Sequence, residues 1–447
     1  MSAPSTAPPS TALLTDRYEL TMLDAALRDG TGSRRCVFEL FARRLSGARR
    51  FGVVAGTGRL LEHIRSFRFG EDELRFLRDE KVVDAETVRF LEDYRFRGSM
   101  TGYREGELYF PGSPILTVEG TFAEAVVLET IALSVLNYDS AVATAAARMS
   151  VAAGDRPLAE MGSRRAGEAS AVAAARAAYI AGFGATSNLE AGRRWGIPTM
   201  GTAAHAWTLL HDTEEDAFRA QIEALGVDTT LLIDTYDIRE GVETAIRVAG
   251  TDLGGVRIDS GDLPIVAAEV RAQLDELGAT GTKITVTSDL DEYAIAALAA
   301  SPVDSYGVGT SVVTGSGSPT AGLVYKLVAR QGADGGWVSV AKASADKAST
   351  GGRKAAFRTL DAGTATSELI MVSDGFEALS PASSHPDARP LQVPLIVDGE
   401  VDAAYEGPAG VQAARAHHGR VREELPVRAL ALSRSDPAIP TVYRDAE

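Results

Sequence analysis

The feature that most restricts the fold of this sequence is a regular alternation of short apolar runs and longer alanine-rich stretches, which begins at about residue 155. Such alternation is typical of βαβ units, in which helices connect parallel strands. Eight units in so short a stretch favour an α/β fold with a compact or irregular (β/α)8 barrel over an open sheet. The candidate strands are 157–162, 183–188, 197–202, 229–234, 255–260, 283–288, 305–310 and 322–328.

The segments that flank this barrel have a different pattern. The first ten residues, 1–10, are rich in Pro, Ser, Thr and Ala and predict a disordered tail. Residues 11–150 mix alternating runs such as CVFELFARRL with helical stretches such as AEAVVLETIALSVL, which predicts an additional α+β domain with antiparallel strands. We expect the barrel domain over 151–344. A C-terminal segment, 345–447, with turn-rich loops such as SPASSHPDARP, is expected to pack on the N-terminal domain.

The composition excludes several classes of protein. A net charge of −16 argues against non-specific binding to nucleic acid, which needs a basic surface. The single cysteine, Cys36, excludes an intramolecular disulfide and a cysteine-rich zinc module, and it suits a reducing compartment. No window approaches about 18 uninterrupted apolar residues, and the first residues lack the basic and apolar regions of a secretion signal. We therefore expect a cytoplasmic protein with no membrane or nucleic-acid partner.

Polar or glycine-containing clusters follow nearly every candidate strand. Because the carboxyl ends of parallel strands meet on one face of a barrel, these clusters are expected to converge there and form a site. Each cluster also has a structural interpretation, since glycines form turns and Asp or Ser residues cap helices. The occurrence of seven such clusters on successive strands favours a site. The clusters are 162–165, 187–188, 201–205, 234–237, 257–262, 288–289 and 307–310.

Several of these residues suit an anionic substrate that carries a ribose and phosphates. Arg164 and Arg257 offer planar guanidinium groups to a carboxylate or phosphate, although adjacent arginines are more often a solvated surface patch. Gly307, Gly309 and Thr310 offer backbone amides and close approach to a 5′-phosphate. The same glycines also fit an ordinary turn.

Two aspartates and one histidine add chemistry to this set. Asp259 and Asp262 are candidates for binding ribose hydroxyls, or Mg²⁺ that bridges a pyrophosphate leaving group. Asp262 also precedes an apolar helix and is suited to cap it. His205 follows a strand among small residues, and a neutral imidazole is a competent nucleophile towards a phosphoryl group. A single histidine is nevertheless more often structural than catalytic.

A series of segments along the chain occurs in the order and spacing of a known family. The segments are LTDRYELTM, VFELFARRL, FGVVAGTGRLLEHI, LYFPGSPILTVEG, the stretch from Asn137 to Met149, GSRRAG, ATSNLEAG, GTAAHAW, RIDSGDL, TSDLDE and GVGTSVVTGSGSPTAGLVYKLV. From Leu14 to about Val328 the sequence resembles the nicotinate phosphoribosyltransferases. The resemblance implies a type II phosphoribosyltransferase-like barrel that joins nicotinate to 5-phosphoribosyl 1-pyrophosphate as the first step of NAD salvage. It also implies a ligase-type reaction that hydrolyses ATP to ADP and phosphate and uses Mg²⁺.

The resemblance further implies the roles of individual residues. His205, in GTAAH, matches the histidine that ATP phosphorylates, so a phosphohistidine intermediate is expected. Tyr18, in DRYELTM, matches a tyrosine that faces nicotinate in the neighbouring subunit's site, which implies a homodimer with shared sites. The other matches are Arg164 after the family's aromatic-glycine pair, Thr202 beside the substrate, Arg257 near the substrate anion and Thr310 at the phosphoribosyl phosphate.

One position departs from the family pattern. Met161 stands where relatives often carry an aromatic residue that stacks on the pyridine ring. A thioether packs against an aromatic face with about 0.3–1.5 kcal/mol, so the stacking is altered rather than lost. Asn188 and Arg257 favour nicotinate over nicotinamide, since a carboxylate attracts a cation. A quinolinate-using enzyme would need further basic residues for its second carboxylate and would have no ATP step.

Two rivals belong to other classes. A non-catalytic binding protein would be expected to have lost His205, Tyr18 or the aspartates of RIDSGDL, all of which are present. A metal-dependent barrel hydrolase or lyase would need several His or Glu ligands at strand ends, where only His205 qualifies. Both rivals therefore fit the sequence less well than a phosphoribosyltransferase.

Overall fold

The structure, a computed structural model, describes residues 9–342, 350–373 and 388–445. The helices are α1 (Arg17–Arg28), α2 (Thr57–Arg65), α3 (Glu71–Asp79), α4 (Ala85–Glu92), α5 (Phe122–Ala125), α6 (Glu129–Ala153), α7 (Glu168–Ile180), α8 (Leu189–Trp195), α9 (His205–Leu210), α10 (Glu214–Leu225), α11 (Ile238–Ala249), α12 (Leu263–Glu276), α13 (Glu292–Ala297), α14 (Thr310–Val313) and α15 (Gly407–Arg422).

The strands divide between two compact units, of which the first is Met1–Thr144 with Ser318–Glu447 and the second is Ala145–Gly317. They are β1 (Arg35–Ala42), β2 (Gly52–Val53), β3 (Ser99–Tyr103), β4 (Leu108–Tyr109), β5 (Leu116–Thr121), β6 (Leu158–Glu160), β7 (Ala185–Thr186), β8 (Thr230–Leu232), β9 (Gly255–Ile258), β10 (Lys283–Val286), β11 (Ser305–Val308), β12 (Leu323–Gln331), β13 (Trp337–Ser339), β14 (Arg353–Asp361), β15 (Thr364–Ser373), β16 (Arg389–Pro390), β17 (Gln392–Val397), β18 (Glu400–Val401) and β19 (Thr441–Asp445).

The first unit is built on a seven-stranded sheet in the order β13-β12-β1-β5-β3-β17-β18, in which the paired neighbours are antiparallel. The interior strand β1 is buried at every residue after Arg35, because both of its faces are covered. Phe38 on β1 stacks on Tyr325 of β12 with ring centroids 4.9 Å apart. A second sheet of four strands has the order β16-β14-β15-β19. The apolar runs of both chain ends therefore share one core.

The structure places the ends of the chain as follows. Strand β17 pairs with β3, so the C-terminal part of the chain completes a sheet that the N-terminal part begins. Most of the loop SPASSHPDARP lies within 374–387, which is outside the described residues. Residues 1–8 of the expected tail are also outside them. Ser10, at the end of that tail, donates a hydrogen bond to the carbonyl of Arg68. The boundaries of the second unit, Ala145 and Gly317, differ from the expected limits of the barrel domain, 151–344.

The second unit contains a six-stranded parallel sheet in the order β7-β6-β11-β10-β9-β8. The first of these strands along the chain, β6, pairs with the last, β11, as in the wall of a barrel. β7 and β8 are the two edge strands of this sheet and are not paired with each other. A helix follows each of the six strands, so all the connecting turns from strand to helix lie at the carboxyl ends of the strands.

The prediction of eight barrel strands is wrong for two segments. Residues 197–202 form only an isolated bridge between Thr199 and Thr186, and Pro198 in this segment has no N–H to donate to a sheet. Residues 322–328 belong to β12, which pairs antiparallel with β1 in the first unit. The burial of β12 alternates along part of its length, as it does in a strand with one covered face, whereas β8, β9 and β11 are more continuously buried.

One helical stretch in the described part of the chain, Phe122–Ala153, is long and apolar enough to cross a membrane by length and composition. Within the protein, 67% of its most apolar window is buried. Core helices of water-soluble proteins pass the same test, so this stretch is weak evidence for a membrane span.

Candidate active site

A cavity of about 320 Å³ lies at the carboxyl ends of β6, β9, β10 and β11 in the second unit. Six residues predicted from the sequence line it: Arg164, Arg257, Asp259, Gly307, Gly309 and Thr310. Five residues absent from the predicted site also line it: Met161, Arg165, Thr287, Ser288 and Asp289. The strand ends therefore converge as the sequence predicted. The cavity is bordered by three arginines and two aspartates, a set that suits an anion with hydroxyl groups.

The wall of the cavity around Gly307 has no space for a larger residue. A Cβ atom at Gly307 would lie 2.7 Å from the Sδ atom of Met161 and 2.7 Å from the Cγ2 atom of Thr287. At Gly309 the nearest atom to such a Cβ is the carbonyl oxygen of Met161, at 3.3 Å. Met161, which departs from the aromatic residue expected at this position, therefore packs directly on Gly307.

Arg257 projects from β9 and is half-buried. Its Nη1 donates a hydrogen bond of 2.7 Å to the hydroxyl of Thr202, which places this predicted residue next to the cavity wall. Burial lowers the pKa of the Arg257 guanidinium, and the charge of Arg164 adds to this effect, whereas Asp259 and Asp234 oppose it. The guanidinium stays charged at neutral pH. Its buried Nε has no hydrogen-bond partner within the described ranges.

His205 is the first residue of α9 and is 41% exposed at its side chain. Its Nδ1 lies 3.1 Å from the hydroxyl of Thr235. Its Nε2 lies 4.0 Å from the Oδ1 of Asp234 and 4.0 Å from the Oδ2 of Asp259. Because Asp259 also lines the cavity, the imidazole and the cavity share one carboxylate.

Asp234 is a site residue that the predicted set did not include. Its Oδ2 accepts hydrogen bonds from the backbone N–H of Asp259 at 2.8 Å and from the hydroxyl of Ser260 at 2.7 Å. Asp234 thus joins the end of β8 to the turn after β9. The position of Asp234 directly after an apolar strand marked it as a possible site residue. Three further polar residues of the same cluster follow it, and the sequence does not show which of the four faces the site.

Two predicted residues have capping positions. The Asn188 side chain accepts a hydrogen bond from the N–H of Ala191 and donates one to the hydroxyl of Ser163, so it caps α8. Asp262 is the N-cap residue of α12, although its side chain makes no capping hydrogen bond. Neither residue lines the cavity. Of the two predicted magnesium ligands, only Asp259 does.

Glu160, a buried residue at the end of β6, is a second residue that the sequence did not single out. Its Oε1 accepts a hydrogen bond from the N–H of Gly162 at 2.5 Å, and its Oε2 accepts one from the hydroxyl of Thr186 at 2.6 Å. Burial raises the pKa of Glu160, and these two hydrogen bonds oppose the rise. Glu160 therefore holds the turn that leads to Arg164.

Tyr18 lies on α1 of the first unit and is 46% exposed. Its hydroxyl hydrogen bonds to the carboxylate of Glu129, which also lies 3.8 Å from the ammonium of Lys326. Burial, together with the charges of Glu129, Glu19 and Asp16, raises the pKa of Tyr18 to about 12. The phenol is therefore neutral at physiological pH and can donate a hydrogen bond.

No group of three or more His, Cys, Asp or Glu side chains that could hold a metal ion is found in the described part of the chain. Two carboxylates, of Asp259 and Asp289, line the cavity. Magnesium is commonly bound by one or two carboxylates together with substrate phosphates. The residues present fit that arrangement and do not fit a site made by protein ligands alone.

Comparisons with known proteins identify the family of this chain. Residues 13–137 match the family model of the nicotinate phosphoribosyltransferase (NAPRTase) N-terminal domain. A nicotinate phosphoribosyltransferase of Mycobacterium tuberculosis is 54% identical over 96% of this chain and 94% of its own, and one of Bacillus subtilis is 40% identical over 79% and 74%. A crystal structure of human nicotinic acid phosphoribosyltransferase covers 96% of this chain and 97% of its own, with a TM-score of 0.81 and 26% identity. This chain therefore belongs to the nicotinate phosphoribosyltransferase family.

Proposed function

We propose that this protein transfers a phosphoribosyl group from 5-phosphoribosyl 1-pyrophosphate to the ring nitrogen of nicotinate, giving nicotinate mononucleotide and pyrophosphate. The observation that carries the proposal is the convergence of Arg164, Arg257 and Asp259 on one cavity, with His205 in reach of the same aspartate. The volume of the cavity, about 320 Å³, is at the lower end of the range for small-molecule sites. The membership of the family supports the choice of nicotinate.

The arginines bind and orient the anionic groups of the two substrates. Arg164, Arg165 and Arg257 supply three positive charges in a protein whose net charge is −16, so anions are attracted to this cavity specifically. Holding the two reactants in line contributes roughly 7–11 kcal/mol to lowering the barrier, because the encounter is no longer bimolecular. Positive charge near the departing pyrophosphate stabilises the negative charge that develops on it.

We further propose that ATP phosphorylates His205 and that the cycle is coupled to its hydrolysis. The support is the exposed ring of His205 at the edge of the site, with Nδ1 held by Thr235. A phosphoryl group adds close to two negative charges beside Asp234 and Asp259. The repulsion among these groups makes the phosphorylated state high in energy, so its hydrolysis can drive a change in the affinity for substrates.

Magnesium is proposed to enter the site with the pyrophosphate group of the donor. The carboxylates of Asp259 and Asp289 are the residues that would hold it. When bound, the ion neutralises charge on the leaving pyrophosphate. Asp259 is held in place for this role by Thr287, whose hydroxyl donates a hydrogen bond to its Oδ1.

A homodimer with shared sites is the proposed assembly. Tyr18 and Met22 are exposed on α1, and Leu13 and Leu14, in the segment that precedes α1, are exposed as well. Apolar side chains exposed together mark surfaces that a partner covers. A second copy of the chain is the proposed partner, and its site would receive the ring of Tyr18.

The test is mononucleotide formation from 5-phosphoribosyl 1-pyrophosphate and Mg²⁺, with nicotinate and nicotinamide in parallel, each with and without ATP. We expect product from nicotinate alone and a faster reaction when ATP is present. Product from nicotinamide in preference to nicotinate would contradict the proposed acceptor. Equal rates with and without ATP would contradict the phosphohistidine cycle while leaving the transfer reaction intact.

A further inference from the structure

A buried set of polar side chains lies outside the cavity in the second unit. Arg148, on α6, and Glu292, on α13, form an ion pair with 3.0 Å between Nε and Oε1, and both side chains are 5% exposed. The other carboxylate oxygen of Glu292 accepts a hydrogen bond of 2.5 Å from the hydroxyl of Ser316. The guanidinium of Arg148 also lies 6.0 Å from the ring centroid of Tyr293. Both oxygens of one buried carboxylate are therefore used.

Glu292 and Ser316 each lie a few residues after a segment that lines the cavity. Glu292 lies three positions after Asp289, in the turn and helix that follow β10. Ser316 lies six positions after Thr310, in the loop that follows α14. Asp289 and Thr310 both line the cavity. The carboxylate of Glu292 is thus the point at which the segment after β10 and the segment after β11 are joined to each other.

The backbone at Ser316 has an unusual conformation that directs its side chain towards Glu292. Ser316 has a φ of 52°, in the left-handed region that serine seldom adopts. Its N–H donates a 2.6 Å hydrogen bond to the carbonyl of Ser311, one residue beyond Thr310. The loop therefore folds back on α14, and the hydrogen bond from the Ser316 hydroxyl links the folded loop to Glu292.

We infer that Glu292 and Ser316 are positioning residues for the phosphoribosyl donor, acting through the two cavity walls that they join. This inference rests on the proposed function of the cavity. Loss of the Ser316 hydroxyl releases the loop after α14 from the segment after β10. The amides and side chains between Gly307 and Thr310 then no longer hold a fixed distance from Asp289, and donor binding weakens even though no residue that touches the donor has changed.

The decisive variant is Ser316→Ala, which removes one hydroxyl and leaves the ion pair between Arg148 and Glu292 intact. We expect the dissociation constant for 5-phosphoribosyl 1-pyrophosphate with Mg²⁺, measured by calorimetry, to rise about tenfold, the effect of one lost hydrogen bond to a charged group. The KM for the same donor should rise with it, and kcat at saturating donor should change by less than about twofold, because the reacting groups are untouched.

Two further variants separate positioning from general stability. Ser316→Gly also lacks the hydroxyl but suits a φ of 52°, so it shows whether the hydroxyl or backbone strain is responsible. Ser150→Ala is the matched control, because Ser150 lies on the same helix as Arg148, is buried, and donates a 3.2 Å hydrogen bond to Ala181 away from the cavity. Ser150→Ala should lower the thermal midpoint without changing donor affinity.

The outcomes are distinguishable. Weaker donor binding by both Ser316 variants, with the Ser150 variant unchanged, supports the inference. Wild-type affinity in Ser316→Ala and Ser316→Gly overturns it, and so does an equal loss in Ser150→Ala. Failure of the unaltered protein to bind or use 5-phosphoribosyl 1-pyrophosphate would instead refute the function proposed for the cavity.

Discussion

The Nε2 atom of His205 lies 4.0 Å from the Oδ1 atom of Asp234, a buried oxygen that has no hydrogen-bond partner among the described residues. An unpaired buried carboxylate oxygen is costly, so its position beside a reactive ring indicates a role. The other oxygen of Asp234 is fully engaged by Asp259 and Ser260. Asp234 is therefore fixed in position and directs a negative charge at the imidazole.

Removal of this charge should affect the ATP-dependent part of the reaction. In Asp234→Asn the amide oxygen can keep the two hydrogen bonds, but one of the two carboxylate charges near His205 is lost while that of Asp259 stays. We expect ATP-stimulated formation of mononucleotide to fall at least about tenfold and the rate without ATP to stay near that of the unaltered protein. Asp237→Asn is the control, since Asp237 caps α11 and asparagine caps equally well. A loss of both rates would contradict the assignment.

His205→Ala tests the histidine itself. We expect this variant to retain slow transfer, because the arginines of the cavity are unchanged, and to lose all dependence on ATP. The measurement is the initial rate with and without ATP, together with incorporation of label from γ-labelled ATP into the protein. Unchanged stimulation by ATP in His205→Ala would show that another residue accepts the phosphoryl group.

A methyl group at Gly307 should disturb the cavity wall. Its Cβ would lie 2.7 Å from both Met161 and Thr287, and the short Thr287 side chain has little freedom to move. We expect Gly307→Ala to destabilise the fold by about 1–3 kcal/mol and to weaken donor binding. Gly281→Ala is the control, because its Cβ would meet open space. Equal thermal midpoints for the two variants would show that the wall adapts.

Ser288 lines the cavity with a φ of 92°, which is strained for any residue with a Cβ. Ser288→Gly should relieve that strain and leave the free energy of unfolding unchanged or higher by up to about 1 kcal/mol. The comparison is Ser170→Gly within helix α7, which should lower it by about 0.5–1 kcal/mol. A loss of stability in Ser288→Gly as large as that in the helix variant would argue against strain.

The stability of the second unit should depend on the protonation of Glu214. Burial, together with the charges of Glu240 and Asp237, raises the pKa of Glu214 to about 7. Since this pKa is above that of the unfolded chain, its contribution to stability is present at low pH and is lost as the pH rises through 7. The thermal midpoint of Glu214→Gln should therefore increase relative to that of the unaltered protein as the pH rises from 5 to 8.

The control for this experiment is Glu223→Gln on the same helix, because Glu223 is exposed. We expect its thermal midpoint to follow that of the unaltered protein across the same pH range. A constant difference between Glu214→Gln and the unaltered protein at every pH would show that the carboxyl of Glu214 does not titrate in this range.

The convergence of strand ends could be predicted from the sequence, because a strand in a parallel sheet has a fixed direction and its carboxyl end is known once the strand is located. Arg257, Asp259 and Gly307 were found in this way. The pairing of residues 322–328 could not be predicted, since an apolar run does not specify which distant strand it will meet. β1 and β12 are separated along the chain by the whole of the second unit and by part of the first.

The distinction between ligand-binding and capping residues is also not encoded in a short pattern. Asn188, Asp237 and Asp262 all follow strands and precede helices, as do true site residues. Only the direction of each side chain separates them, and that direction depends on contacts such as the one between Asn188 and Ser163. Asp234 was not selected for the same reason, because its partners, Asp259 and Ser260, lie in the turn after β9.

The pairing of β1 with β12 bears on how the chain is made. The ribosome releases Cys36 long before Arg330, its partner across the sheet, whereas the second unit is one uninterrupted stretch between them. The second unit can therefore complete its folding on the ribosome while the apolar strand β1 still has one unpaired edge. A nascent chain in this state exposes a sheet edge to aggregation, so protection of β1 by a chaperone should matter most while the second unit is being synthesised, before β12 emerges.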